Sequence, residues 1–120
     1  MRTVVVTLPT LLADFVVDAL DAVVSLDVVA VLPSRDDLSA SLSRLAPWLV
    51  LAGGTDREHD ELAASIRATS PSSHVLVLDP DARRATLYWT TAAGAPVLRA
   101  MEDFSAVELA DAFRAACARL

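Results

Sequence analysis

The residues best placed by type and spacing to do chemistry are three carboxylates, Asp56, Asp79 and Asp81, together with the Gly53-Gly54-Thr55 run just ahead of the first. Each falls just after a short apolar run that reads as a strand, and in an open α/β sheet ligands collect at the carboxyl ends of the strands. Converging acids there could hold a hard divalent cation such as magnesium, although Asp79-Pro80-Asp81 also suits a plain turn. The glycine pair could instead offer backbone amides to an anion at a helix N-terminus, but Asp56 already places negative charge where that anion would sit. Other constellations fail. There is no P-loop, no Gly-x-Gly-x-x-Gly after the first strand and no Gly-x-Ser-x-Gly. His59 and His74 lack partners at metal-ligand spacing and read as surface histidines, so no metal and no cofactor are expected. Cys117, the single cysteine, falls late in an apolar helix pattern with no nearby base and reads as a core thiol. No residue is assigned as catalytic.

The elements that must position these residues are legible as alternating strands and helices. Val4-Val5-Val6 between Thr3 and Thr7 is β-branched and does not alternate, the pattern of a parallel strand covered on both faces. A helix follows, with Thr10 placed to cap it and Leu12, Phe15, Val16, Ala19, Leu20 and Val23 at helical spacing. Its opposite side carries Asp14, Asp18 and Asp21, three and four residues apart with no basic residue among them. The run at 27–32 repeats the buried-strand signal, and Pro33-Ser34 leads into a short helix carrying Leu38, Leu42 and Leu45. Pro47 then precedes the strand at 48–52, and Thr55 with Glu58 fits a capping box for a helix burying Leu62, Ala63 and Ile66. A turn at 70–73 opens the strand at 75–79.

Beyond that strand the alternation stops. Residues 80–84 are turn-forming and 86–91 are rich in β-branched and aromatic residues, so an antiparallel hairpin is favoured here, with a helix as the alternative reading of 80–95. A further strand is expected at 97–101. Ser105 with Glu108 forms a second capping box, Phe104 with Leu109 a hydrophobic staple, and Leu109, Ala112, Phe113, Ala116 and Leu120 an apolar stripe.

The 120 residues read as one domain, 1–120, long enough to bury a core without metals or disulfides. A net charge of −6 and the complete lack of Lys argue against direct nucleic-acid binding. The apolar opening is interrupted by Asp14, Asp18 and Asp21, which fits neither a membrane span nor a signal peptide. A lone thiol suits a reducing compartment, and a cytoplasmic location is expected.

The order of these elements, with Pro47-Trp48-Leu49-Val50-Leu51, the strand ending at Asp79 and Phe104-Ser105-Ala106-Val107-Glu108-Leu109, resembles the receiver domain of two-component response regulators over almost the whole chain. The resemblance implies a flavodoxin-like, doubly wound, mainly parallel five-stranded sheet flanked by helices, here with an antiparallel hairpin strand replacing the fourth helix. It also implies lost phosphoryl chemistry. The phosphoacceptor position falls on Gly53, the paired magnesium-holding acids fall near Thr7 and Leu8, the switch Ser or Thr falls on Asp79, and the Lys after the last strand has no counterpart.

Two functions follow as expectations. The first is a phosphorylation-independent pseudo-receiver, a regulatory domain that binds another protein in signal transduction. Its candidate surfaces are the acidic stripe Asp14, Asp18, Asp21 and the strand bearing Tyr88 and Trp89, which either pairs with another chain, a homodimer included, or folds inward over the sheet. The second is a small-molecule or divalent-cation-binding domain that uses Gly53, Gly54, Thr55, Asp56, Asp79 and Asp81.

Overall fold

The computed structural model describes residues 2–8, 10–32, 38–54, 58–79, 84–90 and 96–117. The chain runs β1 (Arg2–Thr7), α1 (Thr10–Asp21), β2 (Leu26–Val31), α2 (Leu38–Leu45), β3 (Leu49–Gly53), α3 (His59–Thr69), β4 (His74–Asp79), β5 (Arg84–Thr90), β6 (Pro96–Glu102) and α4 (Ala106–Cys117). All six strands join one sheet in the order β2-β1-β3-β4-β5-β6. The pairs β1–β2, β1–β3 and β3–β4 are parallel, whereas β4–β5 and β5–β6 are antiparallel.

This corrects the expected architecture. The sheet is six-stranded and mixed, not a mainly parallel five-stranded flavodoxin-like sheet. The reason lies in the connections. A parallel neighbour needs a long crossover, normally a helix, while a short link permits only an antiparallel return. Helices separate β1 from β2, β2 from β3 and β3 from β4, but four residues join β4 to β5 and five join β5 to β6. The chain therefore doubles back twice before α4.

Strand alternation divides the core between the two faces. Val4, Val6, Leu49, Leu51, Leu76, Leu78, Leu87 and Trp89 turn toward α1 and α4, whereas Val5, Val50, Val75, Val77 and Tyr88 turn toward α2 and α3. β1, β3 and β4 are buried almost throughout, as their unalternating apolar runs predict. β2 is not. It is an edge strand, and Val28, Val29 and Val31 are 38%, 40% and 62% exposed. On α1 the buried stripe is Ala13, Val16, Ala19 and Leu20, and Phe15 lies outside it, partly exposed.

The helix ends follow local chemistry where they are described. Ser105 Oγ accepts the Glu108 amide at 3.2 Å, one half of the expected box, and Phe104 and Leu109 are both buried as a staple requires. α2 ends at Ala46, whose φ of 43° is left-handed and whose amide bonds Leu42 O at 2.9 Å before Pro47 stops the helix. The turn before β4 is held by Ser73, whose hydroxyl donates to Pro47 O at 2.5 Å and bonds Ser70 Oγ at 2.6 Å. Thr55 and Leu120 lie outside the described residues, so neither the first capping box nor the end of the last apolar stripe is described. No helix among the described residues is long and apolar enough to cross a membrane.

Candidate functional site

The carboxyl ends of β1, β3 and β4 bring Thr7, Leu8, Gly53, Gly54 and Asp79 together. Gly53 pairs in register with Leu78, and Gly54 N–H donates to Leu78 O at 3.0 Å. A Cβ placed on Gly53 would stand 3.2 Å from Leu8 Cδ2, closer than most such contacts, with Thr7 O and Leu78 O at 3.7 and 3.9 Å. Leu8 is 6% exposed and belongs to the core packed under α1 and α4. An aliphatic side chain thus lies beside Gly53 at this strand end, while Gly53 and Gly54 themselves are half-buried.

A magnesium ion of the kind the receiver resemblance implies does not fit this end of the sheet. The positions that would have to carry the paired acids are Thr7 and Leu8, both buried, and neither is a carboxylate. Asp79 closes β4 at 8% exposure opposite Arg84. Thr55, Asp56 and Asp81 lie outside the described residues. Among the described residues no three of His, Cys, Asp and Glu converge as a metal site would require. Nor is Gly54 free to cradle an anion, because its amide is bonded to Leu78 and its carbonyl to His59. A cleft of about 240 Å³ does open beside α3, lined by Glu58, Glu61, Leu62 and Ser65, and its acids disfavour an anion there too.

His59 is not on the surface. It is 2% exposed, with Nδ1 2.9 Å from Thr86 Oγ1 and Nε2 3.1 Å from Gly54 O. A carbonyl only accepts, so Nε2 carries the proton and Nδ1 accepts from the Thr86 hydroxyl. One residue on, Asp60 Oδ1 accepts the Tyr88 hydroxyl at 2.6 Å. The first turn of α3 thus clamps β5 at Thr86 and Tyr88. The sequence signal was the spacing: adjacent His59 and Asp60 on a helix, and Thr86 and Tyr88 two apart on one strand face.

His74 is likewise buried, at 6% exposure, and lies flat on Trp89 with ring centroids 3.6 Å apart and planes 8° from parallel. Trp48 and Phe113 meet Trp89 edge-on at 5.3 and 5.5 Å. Trp89 is fully buried, and its Nε1 has no acceptor among the described residues. Tyr88 is 7% exposed. Of the two readings of this strand, the inward one is present, because β6 pairs along the whole of β5 and leaves it no open edge.

Asp14, Asp18 and Asp21 are all exposed on α1. Asp21 also has a structural task, since its Oδ1 accepts the amide of Leu26, the first residue of β2, at 2.9 Å. Among the described residues, open surfaces include the acidic side of α1, the exposed valines of β2 and the single apolar side chains Leu11, Leu98 and Val107, but not the β5 strand. Compared with family models, with curated proteins and with solved structures, the chain matches none.

Proposed function

We propose that this chain acts as a phosphorylation-independent regulatory domain that works by binding another protein, carrying out a receiver's role by contact and not by phosphoryl transfer. The observation that supports the reading is Leu8 seated over Gly53. A phosphoryl site needs a carboxylate nucleophile, a cation and an open approach for the donor. At this strand end the nucleophile position that the resemblance implies is glycine, the neighbouring positions are Thr7 and Leu8, and a side chain added at Gly53 would press on Leu8.

The test is to restore the missing carboxylate. The Gly53→Asp variant and the natural chain are incubated with magnesium and acetyl phosphate, and intact mass is followed. Neither is expected to gain a phosphoryl group, and Gly53→Asp is expected to lose about 2 kcal/mol of stability because its side chain must displace Leu8. Uptake of one phosphoryl group by the natural chain would show working phosphoryl chemistry in this domain and overturn the reading.

A further inference from the structure

We infer that the open edge of β2 is the docking surface, and that its occupant is an extended strand of another protein, apolar at alternate positions and flanked by Lys or Arg. This rests on the interaction-domain reading and names its surface and its class of partner.

The sheet has two outer strands, and they are built differently. β6 begins at a proline and sets its one exposed large apolar side chain, Leu98, beside exposed Arg99 and Glu102, charges that keep an edge from pairing. β2 carries one charge, Asp27, and then Val28, Val29, Ala30 and Val31. It is the outermost strand on its side, and three of its valines are open to solvent. The register with β1 shifts at Val29: Val28 lies beside Val4, Ala30 beside Val5 and Val31 beside Val6. The bulge therefore puts Val28 and Val31 on the α1 face of the sheet, in line with the core positions Val4 and Val6.

Charge decides which strand comes to this edge. The Asp21 bond to the Leu26 amide brings one end of the α1 acidic stripe against the head of β2, where Asp27 follows. Neither α1 nor β2 contains a basic residue. A second copy would bring the same acids and, from α1 and β2, no basic residue to offset them. A basic-flanked strand would neutralise them, while main-chain hydrogen bonds to β2 supply affinity and the valines select apolar side chains.

The experiment selects from a display library of random peptides on the full chain, then follows the selected peptides by amide NMR. Selected sequences are expected to alternate β-branched residues between basic ends and to shift the amides of residues 26–31. Val31→Lys is expected to weaken binding about tenfold, and the Asp14→Arg, Asp18→Arg pair about threefold at low salt, with the amide spectrum elsewhere unchanged. Peptides that bind but shift other residues, or that carry acidic ends, would overturn the β2 assignment while leaving the interaction-domain reading in place. A library without binders, or a concentration-dependent dimer that protects β2 from hydrogen exchange, would overturn it as well.

Discussion

Replacing Trp89 with alanine is expected to remove about 4 kcal/mol of stability and lower the melting temperature by on the order of 15 °C. The side chain is fully buried, stacked on His74 and met edge-on by Trp48 and Phe113, so truncation takes away the centre of a four-ring cluster. The cluster joins the starts of β3 and β4, the end of β5 and the middle of α4, elements far apart in sequence. Relaxation into the hole would have to move all of them, which places the cost toward the upper part of the range for large-to-small changes. Trp89→Phe is the control. It keeps an aromatic ring and removes the Nε1 donor that has no acceptor among the described residues, so it should cost less than half as much. Urea unfolding followed by circular dichroism measures both, and a Trp89→Ala loss below about 1 kcal/mol would mean the cluster is not as packed as described.

His59→Leu is expected to cost about 3 kcal/mol although it replaces a polar residue with an apolar one in a buried place. Its two ring bonds satisfy the Thr86 hydroxyl and the Gly54 carbonyl, and leucine leaves both without their partner. The second replacement, Thr86→Val, removes the orphaned hydroxyl, so the double variant should recover about 1 kcal/mol relative to the sum of the singles. Additive losses would show that the His59–Thr86 bond carries no coupling. Hydrogen exchange gives an independent reading. The Gly54 amide, bonded to Leu78 O, should exchange faster in His59→Leu, because the loop loses its tie to α3.

These two residues also mark where the sequence stopped being informative. The central strands and all four helices are written locally: the Val4–Val6 run, the strand after Pro47, and the Ser105 cap with its Phe104 staple each state their own conformation. The short links at 80–83 and 91–95 likewise require the chain to turn back. The link at 80–83 reads as a hairpin turn, but the mainly parallel five-strand expectation, which comes from the receiver resemblance, leaves no place for a second antiparallel return at 91–95. Burial was harder to read. The valines of β2 look like those of β1, and what separates them is whether another strand lies outside, which sheet order decides. His59 and His74 have the composition of surface residues, and what buries them is Thr86, 27 positions on from His59, and the face of Trp89.

Of the candidate site, that Gly53 and Gly54 bring no carboxylate to the end of β3 was legible, because a residue type is visible without a fold. The role of Leu8 was not. Nothing in the sequence says that the residue after β1 is buried beside Gly53. The acids of α1 were correctly expected to lie outside, and one of them, Asp21, is bonded to the head of β2. Tyr88 was lost to the partner surface for a physical reason: its hydroxyl is held by Asp60 from the first turn of α3.

The most direct test of the central claim is an amide-resolved NMR titration of the natural chain with magnesium, followed by beryllofluoride as a stand-in for an aspartyl phosphoryl group. With Leu8 packed beside Gly53 and no paired carboxylates there among the described residues, neither addition is expected to shift the amides of Leu8, Gly53, Gly54 or Asp79. Saturable shifts clustered at those residues would show that this strand end still binds a cation or a phosphoryl group, and would contradict a domain that acts by protein contact alone.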